Sequence, residues 1–187
     1  MTRTDPQTKT SVLAGPDLFP RLGDWVVGSA VAALVWEAVK RFKANNLHPV
    51  AAPSAGLAFQ PVQLLAIMTY SYAVGVLGSQ DIERMMREDA HFVKLCRNEF
   101  PNWRTLQRFR RYNNEAIRQC LAETFRLAWS FNPPPAPENF KKLLNSNLKT
   151  GIEEGVTVDG RRSEQEAVYR VERAMWNDQM AMDDNEF

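Results

Sequence analysis

The sequence predicts an all-α protein: a multi-helix bundle that contains a helix-turn-helix-like unit and carries a C-terminal helical tail. Three observations predict this fold class. Apolar residues recur at i, i+3, i+4 spacing through much of the chain. No alternating pattern typical of a β-strand extends over any length before Trp129. The composition, 44% hydrophobic and 24% charged, is that of a globular protein able to bury a core.

The first elements are an arm and a helix. Residues 1–19 are rich in Thr, Pro and Gly and are predicted to form a flexible N-terminal arm. Residues 20–46 are predicted to form one helix, with Lys40 and Arg41 near its end, where cations suit the helix dipole. The helix prediction depends on one apolar stripe, made by Val27, Val31, Leu34, Ala38 and Phe42. Two prolines and a glycine predict a loop over 47–56.

The next segment is apolar and almost long enough to resemble a membrane-spanning helix. No Asp, Glu, Lys or Arg occurs from Ala44 to Gln80, and residues 61–78 approach the length of a membrane span. Polar residues nevertheless occur throughout the segment, and Pro61 and two glycines bound or interrupt it. We therefore expect a buried core helix over about 60–76 and no membrane contact.

Three further helices are predicted before the chain reaches a proline-rich break. They cover residues 79–88, residues 90–97 and a longer stretch from about 103 to 129, with a break expected near Asn113. Asn102 precedes the longer helix and is a suitable N-cap. The order of helix, short helix, turn and helix is that of a helix-turn-helix unit, and residues 20–131 are predicted to form one helical domain.

The remaining residues are predicted to form a linker and an acidic, partly helical tail. Residues 132–137, NPPPAP, are a stiff linker, and the tail covers 138–187 with a last helix over about 163–181. From residue 151 onward, four arginines stand against ten acids, a net charge of −6. Two roles stay open for the tail. It docks on the bundle through Val168, Val171, Met175 and Trp176, or it restrains the basic part of the chain electrostatically. For the large apolar residues of the last helix, the alternative to docking is a partner-binding face made by Met175, Trp176, Met180 and Met182.

Positive charge is concentrated in one segment. The whole chain has a net charge of +1, but Lys94–Arg118 carries seven cations and two acids, a net of +5. At about 100° per residue, Leu106 and Phe109 lie on one side of the helix. The opposite side carries Arg104, Gln107, Arg108 and Arg111. Leu106 and Phe109 are therefore expected to be buried, and the opposite side to be exposed.

This exposed side favours DNA as a partner. Arg and Gln are the side chains that bond bidentately to guanine and adenine in the major groove, and Arg also binds phosphates. The pattern predicts a recognition helix for double-stranded DNA. The alternative is a protein–protein interaction or regulatory adaptor module, whose basic face meets an acidic partner or the acidic tail of the same chain.

Residues 59–129 resemble the N-terminal helical DNA-binding domain of DDE-type insertion-sequence transposases. Three pieces carry the resemblance: QPVQLLAIMTYSYAVGVLGSQDIE, EDAHFVKLCRNEFPN and WRTLQRFRR. The third matches the family pattern Pro-Asp-x-x-Thr-x-x-Arg-Phe-Arg at Pro101, Thr105, Arg108, Phe109 and Arg110. Asn102 replaces the usual Asp. The resemblance implies binding at transposon ends. With it, the predicted DNA-binding set is Arg104, Thr105, Gln107, Arg108, Arg110 and Arg111.

The chain departs from that family in its C-terminal part. Such transposases follow this domain with an RNase H-like sheet whose three acids bind two metal ions, and too few residues follow the proline break to form it. Residues 155–160 resemble the first catalytic strand, but a helical pattern follows, so Asp159 is expected to be a turn residue or a remnant. We therefore expect no enzymatic activity and no metal or other cofactor. Either a separate transposase catalytic subunit or a second copy of this chain is a further expected partner.

The cysteines and histidines do not suggest a site. Cys96 and Cys120 are too few for a disulfide scaffold or a zinc cluster and are expected to pack as small apolar residues. His48 and His91 have no partners at metal-ligand spacing. The polar N-terminus does not look like a secretory signal, and a cytoplasmic, nucleoid-associated protein is expected.

Overall fold

A computed structural model describes residues 21–26, 28–42, 47–50, 59–96, 100–131 and 158–183. All regular structure within these ranges is helical, so the prediction of an all-α multi-helix bundle is confirmed. The helices are α1 (Leu22–Trp25), α2 (Gly28–Arg41), α3 (Pro61–Ala73), α4 (Ser79–Glu88), α5 (Ala90–Cys96), α6 (Trp103–Phe131) and α7 (Val158–Asp183). The predicted arm, the predicted linker and residues 138–157 of the predicted tail lie outside the described residues.

Helix α3 lies at the centre of the bundle. Every residue from Gln63 to Ala73 is buried, so the helix has no solvent-exposed face beyond its first turn. Two polar members of this run donate to backbone carbonyls: Ser71 Oγ donates to that of Ile67 at 2.7 Å, and Gln63 donates to that of Cys96. The uncharged segment therefore forms the predicted core helix. None of the helices that the structure describes is both long and apolar enough to cross a membrane.

The N-terminal helical prediction needs a correction. Two helices, α1 and α2, replace the single helix expected over 20–46, because Val26 has an extended backbone (φ −119°, ψ 129°) that ends α1. In α2 the buried stripe is centred on Val31, Val35 and Val39. Leu34, which we expected on the stripe, is only partly buried at its edge.

The three central helices follow the predicted order and nearly the predicted bounds. Helices α4 and α5 begin at the predicted residues, and α6 begins at Trp103 as Asn102 indicates. The expected break near Asn113 is present as a local distortion, with φ −123° and ψ 23°, inside an otherwise continuous helix. The Asn113 side chain is buried and holds the segment before α3. Its Nδ2 donates to the carbonyl of His48 at 3.0 Å, and its Oδ1 accepts from the His48 amide at 2.8 Å.

Helix α7 packs along α6 as part of the bundle, through Val171 of the predicted stripe but not through Met175 or Trp176. Its buried apolar residues are Ala167, Val171 and Ala174, and they join the main core. Met175 and Trp176 are each 46% exposed, so their predicted docking role is wrong. The helix also begins earlier than expected, at Val158. Asp159 therefore lies in the first turn of a helix, and not in a loop turn or a strand.

Candidate nucleic-acid interface

The start of α6 is held by two side chains. Asn102 Oδ1 accepts from the backbone amide of Thr105 at 2.9 Å and from its hydroxyl at 3.0 Å, which is the predicted N-cap. The carboxylate of Glu83 in α4 accepts from the Trp103 amide at 2.9 Å. A negative side chain at a helix N-terminus is favourable, and here it also joins α4 to the first turn of α6.

Two apolar side chains set the rotation of α6. Leu106 and Phe109 are completely buried, as predicted. Their burial turns the opposite side of the helix outward. Arg104, Arg108 and Arg111 are exposed and Gln107 is half-buried, and we call these four residues the arginine face. The predicted exposure of this face is confirmed for the three arginines.

The cations of the arginine face are available to a ligand. None of the three arginines forms an ion pair with a described residue. Arg104 instead lies over the ring of Trp103, with its guanidinium carbon 4.6 Å from the ring centroid. Such a cation–π contact orients the guanidinium while leaving its charge unneutralised.

Two predicted DNA-binding residues point into the protein. Thr105 is buried and its hydroxyl is bonded to Asn102. It lies four residues before Phe109, so the helical period places both on the inward side. Arg110 is only 4% exposed; it donates to the Tyr72 hydroxyl at 2.8 Å and forms an ion pair with Asp178 of α7. The structure therefore corrects the predicted set by removing Thr105 and Arg110 from the accessible surface.

The surroundings of Arg110 keep it charged and in place. Burial by itself lowers the pKa of Arg110, but Tyr72 and Asp178 outweigh that effect and leave the pKa above its usual value. Burial raises the pKa of the Tyr72 hydroxyl to about 12, against the opposing pull of Arg110. Asp178 also accepts from the backbone amide and the hydroxyl of Ser79, at 2.7 and 2.5 Å. This network joins α3, α4, α6 and α7.

The acidic helix α7 therefore neutralises part of the basic segment. Besides Arg110, it reaches Arg118, whose guanidinium lies 3.4 Å from Glu172. Lys94 is exposed on α5, and Arg97 lies outside the described residues. The contact between tail and basic segment that the sequence suggested is present, but it leaves the arginine face uncovered.

Large apolar side chains are exposed on α6 and α7, and Met175 among them shares a groove with the arginine face. Tyr112 is 57% exposed, and Met175, Trp176 and Met180 of α7 are 43–46% exposed. A groove between the helices is lined by Gln107 and Arg111 on one side and Met175 and Gln179 on the other. The apolar pattern of α7 left two roles for Met175 and Trp176, packing on the bundle and a partner-binding face, and their exposure excludes packing in the core.

Comparison with known proteins supplies no relative: no protein-family model, curated protein or solved structure matches this chain. Within the part of the chain that the structure describes, no three His, Cys, Asp or Glu side chains are grouped closely enough to hold a metal ion. What the arrangement offers chemically is hydrogen-bond donation and positive charge on a rigid helix.

Proposed function

We propose that this protein binds double-stranded DNA through the arginine face of α6. The observation that carries the proposal is the row of Arg104, Arg108 and Arg111, spaced at i, i+4 and i+7, exposed together and without acidic partners among the described residues. Gln107 lies on the same side. Guanidinium groups on such a row donate to phosphates and to guanine edges.

The elements before α6 support a helix-turn-helix mode of docking. Helices α4 and α5 precede α6 in the order that such units use, and Glu83 fixes the start of α6 against α4. In this mode α6 enters the major groove with its first turns, which are the turns that carry Arg104, Gln107 and Arg108.

The resemblance to transposase DNA-binding domains supports transposon ends or a related duplex site as the target. We further propose that the protein acts without nuclease activity, in the cytoplasm in association with the nucleoid. We propose a separate transposase catalytic subunit, or a second copy of this chain, as a further partner. The DNA-binding proposal itself needs only the arginine face.

A protein–protein interaction module is the second candidate function. Tyr112, Met175, Trp176 and Met180 favour it, because exposed aromatic and methionine side chains beside arginine are the composition of interface centres. In that case the arginine face meets an acidic protein surface.

The decisive experiment compares two triple variants of the full chain that remove equal charge. R104A/R108A/R111A empties the arginine face, whereas K40A/R126A/R161A removes three exposed cations elsewhere. Both are expected to fold, since exposed substitutions cost within ~0.5 kcal/mol each. We expect the first variant to lose most of its affinity for duplex DNA and the second to retain it. Equal losses in both variants, or none in either, would overturn the proposal.

A further inference from the structure

A second cluster of arginines lies on the other side of α7, around a pocket. The pocket has a volume of about 350 Å³ and lies between the turn that joins α3 to α4 and the middle of α7. Its charged and polar lining residues are Arg21, Asp81, Arg84, Tyr169, Arg170, Arg173 and Asn177. Three separate segments of the chain therefore bring guanidinium groups to one concave site.

The glycine turn makes this convergence possible. Gly75 has φ +85°, a backbone conformation that other residues rarely adopt. A Cβ on Gly75 would also lie 2.9 Å from Cδ and Nε of Arg21, so a side chain there would displace Arg21 from the pocket wall. The turn residue thus allows the Arg21 stem to lie directly on the backbone.

The charge balance of the pocket is positive. Arg170 forms the buried part of the wall, where Glu166 neutralises it at 2.5 Å and the carbonyls of Tyr72 and Ala73 accept from it. Among the other lining residues, Arg21, Arg84 and Arg173 are exposed beside one carboxylate, that of Asp81, and Arg173 also donates to the Tyr169 hydroxyl at 3.3 Å. Arg21 has no ion pair with a described residue, so the excess of positive charge faces the pocket.

One of these arginines is held by a contact that an anion can replace. Arg84 pairs with Asp81 at 2.9 Å, but both side chains are mainly exposed, and exposed ion pairs contribute only about 0–1 kcal/mol. A dianion between Arg21, Arg84 and Arg173 would satisfy several guanidinium donors at once. Arginine is well suited to this because its planar donors match the oxygens of a phosphate.

We propose that this pocket binds a phosphate group through Arg21, Arg84 and Arg173. Its volume lies within the range of small-molecule sites, about 300–1,000 Å³. Val76, Leu77 and Met85 form an apolar wall that suits the organic part of a phosphorylated molecule. The phosphate belongs either to a free phosphorylated metabolite or to the backbone of bound DNA. The proposal does not depend on the arginine face.

The test uses the purified full chain, with adenosine 5′-monophosphate and adenosine as matched probes. We expect the monophosphate to bind in calorimetric titration and adenosine not to bind. R21Q/R84Q is expected to weaken monophosphate binding at least tenfold, whereas the control K40Q/R126Q binds like the wild type. D81N removes the carboxylate that competes for Arg84, so it is expected to tighten binding severalfold.

DNA titrations with the same variants identify the source of the phosphate. If R21Q/R84Q lowers the affinity for the monophosphate but not for DNA, the ligand is a free metabolite. If the monophosphate does not bind but R21Q/R84Q lowers DNA affinity and the control does not, the phosphate is that of DNA. The proposal is overturned if R21Q/R84Q lowers the affinity for neither the monophosphate nor DNA. It is also overturned if the control K40Q/R126Q loses as much affinity as R21Q/R84Q. If R104A/R108A/R111A keeps its DNA affinity, the DNA-binding proposal for the arginine face fails, but the results for the pocket variants still stand.

Discussion

The guanidinium of Arg110 and the carboxylate of Asp178 form an ion pair inside the protein, between helices α6 and α7. Both side chains are less than one tenth exposed. Tyr72 and Ser79 complete the hydrogen bonding of the pair. An arginine that the sequence assigned to DNA binding therefore anchors the C-terminal helix to the bundle.

Replacing Asp178 by Ala is expected to destabilise the fold by about 3–5 kcal/mol, because the charge of Arg110 would stay buried without a partner. Ser79 would also lose the acceptor of its amide and hydroxyl. Urea denaturation measures the free energy of unfolding. The matched control is Glu172→Ala, which breaks the more exposed ion pair with Arg118 and is expected to cost less than about 1 kcal/mol. Equal costs for the two variants would contradict a structural role for the buried pair.

Asn113→Ala is expected to cost about 1–3 kcal/mol, because the buried Asn113 side chain makes two hydrogen bonds with the amide and carbonyl of His48, and both would be lost. The neighbouring variant Asn114→Ala is the control. Asn114 is only partly buried, and the one hydrogen bond of its side chain to a described residue is a 4.0 Å contact with the sulfur of Met175. Thermal denaturation of the two variants should separate them clearly. A melting temperature lowered equally in both would mean that the His48 contact contributes little.

DNA binding by the wild-type chain should weaken steeply with salt. If about four phosphates are neutralised, the slope of log affinity against log salt is near −3.6, at ~0.9 per contact. Removing Arg104, Arg108 and Arg111 should make that slope shallower by about 2.7, since three contacts disappear. Fluorescence anisotropy at a series of salt concentrations measures both slopes. A slope unchanged in the triple variant would place the phosphate contacts elsewhere.

Incubation with DNA and Mg²⁺ or Mn²⁺ is expected to leave the DNA uncut and unjoined. The expectation follows from the sequence, in which only Asp159 resembles a member of the transposase acidic triad. Gel analysis of supercoiled plasmid is a sensitive readout. Metal-dependent nicking that disappears in Asp159→Ala would overturn the expectation and indicate an active site assembled from more than one chain.

The two cysteines should be unreactive in the folded protein. Burial raises the pKa of Cys96 and of Cys120 to about 12, from a usual value of 9.0. At pH 8 a thiol reagent should therefore modify the native protein far more slowly than the protein in guanidinium chloride. Equal rates in the two conditions would contradict the buried positions.

The same cysteines should make the fold sensitive to alkali. Because the unfolded thiols release protons above pH 9 and the buried ones do not, the free energy of unfolding should fall as the pH rises from 9 to 12. Denaturant titrations at several pH values measure this loss. The variant C96A/C120A is less stable at neutral pH but should show a shallower decline.

The local sequence pattern determined the orientation of α6, the residue at which it begins and the centre of the core. The period of the helix is enough to place Leu106 and Phe109 inward and Arg104, Arg108 and Arg111 outward, because one apolar stripe must be buried. Asn102 determined where α6 begins, since its side chain caps the first turn. The uncharged run around α3 determined the centre of the core.

Contacts between distant segments decided the rest. Arg110 lies at the border between the inward and outward sides of α6, and Asp178, far away in the sequence, draws it inward. The buried side of α7 is largely polar, with Glu166, Arg170 and Asp178 in place of Met175 and Trp176. No hydrophobic pattern predicts that choice, because buried charges are stable only where partners on other helices satisfy them. The arginine pocket likewise exists only because folding brings Arg21, Arg84 and Arg173 together.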